Sequence, residues 1–311
     1  MPMEILRTIA EARTACRNRK DAHLSLALVP TMGALHAGHL SLVQSARERA
    51  DVVAASVFVN PLQFGPDEDF TRYPRPFEHD CGLLEAQGVA LVFAPAPEEM
   101  YPFRRLAAGG PTQAGECSAA ATPEAVVPDS TFVEVGGLSD KLEGRSRPGH
   151  FRGVATVVAK LFHIVEPDLA FFGQKDAQQV VVIRRMVRDL NLPVEIVVCP
   201  IVREPDGLAM SSRNAYLDPA HRRAATVLYR ALMRMEDLTR AGERDGARLA
   251  EAGRRVIQEE PLARLDYLEV VAPETLDSVP DVSSGALVVV AAALGKTRLI
   301  DNLLLKPQGK P

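Results

Sequence analysis

The sequence predicts an α/β fold: a doubly wound parallel sheet with helices on both faces, followed by a smaller α+β unit. Three observations carry this. Short continuous apolar runs, LSLALV at 24–29 and VVAASVFV at 52–59 among them, alternate with helical periodicity over the first two thirds, and such runs suit strands buried on both faces of a parallel sheet. The last third changes pattern, to two helices followed by strand-like segments at hairpin spacing. The length, 311 residues with 47% apolar and 24% charged, suits two globular domains at ~100–200 residues each. The expected boundary lies near residue 200, giving domains 1–200 and 201–311.

In order, residues 4–20 read as a helix. Residues 24–29 form a first buried strand, ended by Pro30 because proline supplies no ladder donor. A helix follows over 38–50, its apolar side set by Leu42, Val43 and Ala46, then a strand at 52–59. Residues 78–87 form a helix closed by Gly88, a residue type favoured where helices end, and 89–93 a third strand. Residues 131–135 read as strand-like. A helix at 154–165, a strand at 169–172, a helix at 176–190 and a strand at 194–199 complete a Rossmann-like alternation. Beyond it, Asp218 and Pro219 open a helix to about residue 240, as N-cap and first helical residue. A second helix covers 244–259, and strands are expected at 265–271, 286–293 and 297–304. Residues 105–129, with seven Ala, three Gly and three Pro, read as a surface insertion outside the core.

Composition excludes several classes. The formal charge is −4, with no basic excess to favour nucleic acid. No apolar run approaches the ~20 residues of a membrane helix. Residues 1–20 lack the apolar centre of a signal peptide. Cys16, Cys81, Cys117 and Cys199 are scattered, which argues against a zinc ribbon or disulfide framework and fits a reducing cytoplasm.

The chemistry concentrates at strand ends, where open α/β sheets bind ligands. Pro30–His39, PTMGALHAGH, follows the first strand and opens a helix. Helix N-termini offer free N–H groups and a positive dipole end to phosphates. His36 and His39, three apart, share a face and can donate to phosphate oxygens. A helix cap with two incidental histidines, and a metal pair, remain alternatives, although the i, i+4 zinc spacing is absent. Asn60 and Gln63 bring amides to the end of the second strand, suited to a hydroxy-acid or amide substrate or to a solvated turn. Asp80 opens a helix, where it either balances the dipole or holds Mg²⁺ beside a nucleotide. Gly173-Gln174-Lys175-Asp176 follows another strand, with Gln178 and Gln179 in the first turn of the next helix; Lys175 offers phosphates a mobile charge, or the segment is an ordinary surface loop between strand and helix. Met210-Ser211-Ser212-Arg213 joins two hydroxyls to a guanidinium, a triphosphate-binding set or an ordinary loop.

Together, PTMGALHAGH, FVNPLQFG, YPRPFEHD, RPGHFRGV, FFGQKDAQQ and GLAMSSRNAYL, in that order, resemble the pantothenate synthetase (pantoate–β-alanine ligase) family of the nucleotidyltransferase superfamily. The resemblance covers nearly the whole chain except 105–129. It implies an ATP-dependent ligase of pantothenate and coenzyme A biosynthesis, working through a pantoyl adenylate and releasing AMP and pyrophosphate. His39, His36 and Lys175 would be catalytic, with His39 the usual proton donor. Met32, Gly33, Ala34, Leu35, His36, Ala37, Gly38, His39, Asn60, Gly173, Gln174, Lys175, Asp176, Val202, Met210, Ser211, Ser212 and Arg213 would contact ATP. Gln63 and Gln179 would bind pantoate, Gln63 also lying near β-alanine, and Asp80 would be the Mg²⁺-side acid. The implied partners are small molecules and a second copy of the chain in a homodimer. The resemblance also implies that 142–153 forms a wall of the active site. Two features depart from the family pattern: Gln174 stands where it usually has Glu, and 105–129 is longer than expected.

Overall fold

The computed structural model describes residues 3–66, 68–102 and 131–306. Six parallel strands form the larger sheet: β1 (Glu4–Leu6), β2 (Leu26–Thr31), β3 (Val52–Val57), β4 (Leu91–Phe93), β5 (Leu169–Gly173) and β6 (Glu195–Cys199), in the spatial order β1-β4-β3-β2-β5-β6. Helices α1 (Ile9–Asp21), α2 (Ala37–Arg47), α3 (Phe77–Ala86), α4 (Pro97–Met100), α5 (Glu143–Ser146), α6 (His150–Val165) and α7 (Ala177–Asp189) connect and cover it. The strand order reverses between β2 and β5. The loops leaving those two strands therefore splay apart and open a crevice at the sheet's carboxyl edge.

Alternation along the strands builds both faces. Leu26, Leu28, Val52 and Ala54 pack against α1, α6 and α7, while Ala27, Val29, Val53 and Ala55 pack against α2 and α3. Leu26 and Leu28 are fully buried, worth ~1.5–3 kcal/mol each relative to exposure.

The smaller sheet is antiparallel: β7 (Ala263–Val271), β8 (Ala286–Leu294) and β9 (Thr297–Leu305), with β8 central. Helices α8 (Pro219–Ala224), α9 (Val227–Arg240) and α10 (Gly246–Gln258) accompany it. On β8, Val288, Val290 and Ala292 face the cluster built on α9 and α10, whereas Leu287 and Val289 join the core of the larger unit. That double burial explains why β8 is apolar throughout. Residue 200 falls just after β6, between the two sets of strands.

Several elements differ from the sequence reading. The helix expected over 4–20 is strand β1 followed by α1. Thr8 caps α1 through the Glu11 N–H, and the Glu11 carboxylate accepts the Thr8 N–H. This reciprocal capping box fixes the helix start and leaves Glu4–Leu6 to pair with β4. Pro30 does not end β2, which runs on to Thr31. The Leu26 carbonyl points to the β5 side, accepting from Asp168, and the Thr31 carbonyl to the β3 side, accepting from Phe58. Even positions thus face β5, where pairing stops at Leu28, so Pro30 withholds a donor that nothing needs. The helix expected from 219 to 240 is split at Ala225 and Thr226, where Thr226 Oγ1 donates to the Arg223 carbonyl at 2.8 Å and competes with the helical ladder. Residues 131–135 form no strand; the Val133 N–H donates to Thr156 Oγ1 on α6 instead. The expected insertion at 105–129 lies outside the described residues. Among those that are described, no helix is long and apolar enough to cross a membrane.

Candidate active site

A cavity of about 180 Å³ sits at the crevice between the β2 and β5 loops. It opens beside a wider cleft of about 620 Å³ between the larger sheet and the β9 side of the smaller one. Arg147, Lys175, Asp176, Ser211 and Arg213 line both.

The β2 loop is fixed before it reaches the cavity. Gly33 (φ +81) and Ala34 (φ +52) both take left-handed backbone, a conformation costing a non-glycine residue ~1–2 kcal/mol. Asp80, 1% exposed on α3, holds this bend: its carboxylate accepts the Ala34 N–H at 2.8 Å and the Leu35 N–H at 2.9 Å. Gly33 is required there, since a Cβ would stand 2.9 Å from Asp80 Oδ2.

The bend delivers His36 to the N-cap of α2. His36 Nδ1 accepts the Gly38 N–H at 3.1 Å, and His39 Nδ1 accepts the His36 N–H at 3.3 Å. Backbone donors on both Nδ1 atoms require each imidazole proton to sit on Nε2. The two rings lie 4.1 Å apart. Burial, then the Lys175 ammonium, hold His36 down to about 4, and burial, then His36, hold His39 down to about 3. At neutral pH the pair is therefore two uncharged Nε2–H donors.

Lys175 supplies the cation opposite them, 3.5 Å from Asp176. Burial works to raise the Asp176 carboxyl, but Lys175, with Arg213 and His150, outweighs it and the net shift is downward. Across the opening, Ser211 Oγ accepts the Arg213 N–H and caps a short turn. The Met210 N–H donates to the Val202 carbonyl at 3.0 Å. The Arg213 guanidinium grips Asp69 with Nε and one terminal nitrogen, at 3.1 and 2.9 Å.

Gln63 forms the floor. Its amide donates to Met32 Sδ at 3.0 Å and accepts from Asn60 Nδ2 at 3.1 Å. Its backbone carbonyl accepts from His150 Nδ1 at 2.8 Å. That bond puts the His150 proton on Nδ1 and leaves Nε2 to accept from Arg147; burial, then Arg147, hold this ring down to about 4.

Of the residues singled out in the sequence, the structure brings Met32, His36, Gly38, His39, Gln63, Gly173, Lys175, Asp176, Gln179, Val202, Met210, Ser211, Ser212 and Arg213 to this one cavity. Gly33, Ala34, Leu35 and Ala37 do not line it. The Ala34 and Leu35 amides are taken up by Asp80 and so are not phosphate donors. Asn60 is corrected too: it is 1% exposed, and it bonds Gln63, the Gly153 carbonyl, the Leu62 N–H and Tyr101. It shapes the Gln63 floor rather than meeting a nucleotide. Gln174 turns its amide to Asn302, 3.0 Å away on β9. Gln178 is likewise structural, bonding Leu138, Lys141 and Glu143.

Asp80 does not fit a magnesium ligand. Both its oxygens accept backbone N–H groups beneath the loop, and it lines a separate cavity behind Gly33. Among the described residues, no group of three or more His, Cys, Asp or Glu could hold a metal ion.

Arg147, His150, Tyr73 and Phe64 also line the cavity; the resemblance implies a site wall at 142–153, which holds the first two, but sequence reasoning gives none of the four a role of its own. Arg147 is paired with Glu68 at 2.5 Å and reaches the Gln63 carbonyl at 3.4 Å. The RPGH spacing that opens α6 is the available signal. A helix entry alone does not say that its histidine bonds a residue 87 positions away.

The family model described as pantoate-beta-alanine ligase matches residues 4–304. A pantothenate synthetase from Koribacter versatilis is 56% identical, covering 99% of this chain and 97% of its own. One from Acidobacterium capsulatum is 58% identical, covering 96% and 95%. The crystal structure of pantothenate synthetase from Thermus thermophilus superposes with a TM-score of 0.85 at 48% identity, covering 98% of this chain and all of that one. The pantoate-beta-alanine ligase from Francisella tularensis, complexed with β-γ ATP and β-alanine, superposes with a TM-score of 0.73 at 31% identity, covering 97% of both chains. Matched over nearly its whole length in sequence and in fold, the chain belongs to the pantoate–β-alanine ligase family.

Proposed function

We propose that the chain condenses (R)-pantoate with β-alanine to give pantothenate in two steps within the crevice, ATP being consumed to AMP and pyrophosphate. In the first, a pantoate carboxylate oxygen attacks the α-phosphorus of ATP, and the bond to pyrophosphate breaks. In the second, the β-alanine amine attacks the acyl carbon, loses a proton, and AMP leaves with the carboxyl oxygen. The observation that carries this reading is the convergence of Lys175, the His36 and His39 Nε2–H donors and the Met210–Arg213 loop on one cavity floored by Gln63 and lined by Gln179.

Attack at phosphorus needs positioning and charge neutralisation more than covalent help. Lys175 meets the negative charge shared between the transferring and leaving oxygens. The two imidazoles donate hydrogen bonds as neutral groups, and the developing charge draws the Nε2 proton of His39 toward the phosphate oxygens. Ser211, Ser212 and Arg213 hold the pyrophosphate side, with Arg213 exchanging Asp69 for phosphate oxygens. Gln63, its carbonyl pinned by His150 and its amide by Asn60 and Met32, orients pantoate together with Gln179. Magnesium would accompany the ATP phosphates and neutralise part of their charge.

ATP as a substrate is supported by the relative that was complexed with a β-γ ATP and β-alanine. We read the enzyme as a cytoplasmic homodimer. Buried free thiols at Cys16, Cys81 and Cys199 support a reducing compartment, and a solution mass twice that of one chain is the expected result for the dimer. The activity is tested with ATP, Mg²⁺, pantoate and β-alanine. AMP release that requires both organic substrates is expected; pyrophosphate release with some other acceptor, or ATP binding without turnover, contradicts the reading.

A further inference from the structure

We infer that Asn302, with its neighbour Asp301, is a positioning residue for adenylation: it holds Lys175 from the smaller sheet at a fixed distance from the Met210–Arg213 loop. This rests on the role given to Lys175 above.

Asp301 and Asn302 interrupt an apolar strand. They are 3% and 2% exposed on β9, between Leu299–Ile300 and Leu303–Leu305. Burying an amide or a carboxylate is costly unless it is fully partnered. Both are partnered, and the partners lead to the two phosphate-side loops. Asn302 Nδ2 donates to the Gln174 and Lys175 carbonyls, each at 2.9 Å, and Asn302 Oδ1 accepts from Gln174 Nε2 at 3.0 Å. The backbone that carries Lys175 is thus clamped, while the lysine side chain, beside Asp176, faces the cavity.

Asp301 does the same for the second loop. Its carboxylate takes Arg203 through both terminal nitrogens, at 2.6 and 2.9 Å. Arg203 also stacks on Tyr229 and donates to the Gly207 carbonyl. Arg203 pairs with Ala209, Glu204 with Leu208 and Val202 with Met210, forming the narrow ribbon that presents Met210–Arg213. The Asn302 N–H donates to Asp301 Oδ1 at 2.8 Å and joins the two anchors. Two loops far apart in sequence are therefore fastened to successive residues of one strand, ~3.3 Å apart along it. Gln174 has a matching reason to be an amide: it donates to Asn302, which an ionised Glu cannot do.

The test is Asn302→Asp. It keeps the size but replaces the two N–H donations with a carboxylate oxygen facing two carbonyls. Pantoate-dependent adenylate formation in single turnover is expected to slow ~10- to 100-fold, the scale for displacing a reacting group by up to about 1 Å. The pantoate KM and the fraction of active sites should be unchanged. Made in the Lys175→Ala protein, the same substitution should cost less than about twofold, because its effect passes through Lys175. Equal losses in both backgrounds, or a loss confined to the active fraction, overturn the inference. If Asn302→Asp does not fold, Gln174→Leu removes only the third bond and should show a smaller slowing with the same dependence on Lys175; an additive loss, or none, overturns it. Should Lys175→Ala alone adenylate normally, the reading of Lys175 itself fails, a result distinct from additivity.

Discussion

Asp80→Asn separates two accounts of one buried acid. The carboxylate accepts from both Ala34 and Leu35, at 2.8 and 2.9 Å, in a site 1% exposed. An amide of the same shape accepts only one of these donors, and its NH₂ group meets the other. Hydrogen bonds to a charged group are worth ~1.5–3 kcal/mol, and a buried donor left unmatched adds to the loss, so we expect a destabilisation of about 2–4 kcal/mol. At roughly 2–4 °C per kcal/mol for domains of this size, the melting temperature should fall by about 4–16 °C. Part of the loss is the left-handed bend at Ala34, φ +52, which the two bonds hold in place. Ala34→Gly in the Asp80→Asn background should therefore recover about 1 kcal/mol. Differential scanning calorimetry reads the stability, and a magnesium titration of activity reads the alternative. A melting temperature within about 1 °C of the parent, together with a raised magnesium requirement, would refute the reasoning and restore Asp80 as a metal-side ligand.

Two further outcomes follow from the same geometry. A Cβ on Gly153 would stand 2.3 Å from the Leu62 carbonyl oxygen and 2.7 Å from the Gln63 N–H nitrogen, so Gly153→Ala must displace the Gln63 turn. It should cost ~1–3 kcal/mol of stability and raise the pantoate KM more than the ATP KM, and steady-state kinetics showing equal changes would contradict that. The buried histidines set an acid limit. Their folded values, about 4 for His36 and His150 and about 3 for His39, lie below the unfolded value near 6.5, so below it the unfolded chain binds protons that the folded chain refuses. Stability should fall as pH drops from about 6.5 toward 4, by at most ~1.4 kcal/mol per histidine per pH unit. Nitrogen NMR should find protons on Nε2 of His36 and His39 at pH 7, and urea melts that stay flat from pH 7 to 4.5 would count against the assignment.

What the sequence made legible was periodicity and loop position. The apolar runs of β2, β3, β5 and β6 and the switch to hairpin spacing after residue 200 located both sheets. Placing Lys175, His36 and Arg213 together required only that loops leaving parallel strands share one edge. Sequence and structure part where a side chain chooses between partners distant in sequence. Asp80 and Asn60 carry the residue types of ligand-binding groups, yet their partners are the backbone of Ala34, Leu35, Leu62 and Gly153. Pro30 sits inside a strand because pairing on its donor side has already ended. Thr8 and Glu11 did carry a local signal, the capping box, which sets the helix start more strongly than apolar periodicity does. Asn302 had none: a polar residue in an apolar strand does not say which loop it bonds.

The central claim is that Lys175 stabilises the charge that forms when pantoate attacks ATP. The direct measurement is pantoate-dependent exchange of pyrophosphate into ATP without β-alanine, which isolates the first step. The parent enzyme should exchange, and Lys175→Ala, folded and still binding ATP, should exchange ~10²-fold more slowly or worse, the scale for losing one such group. Exchange by Lys175→Ala at the parent rate would contradict the account.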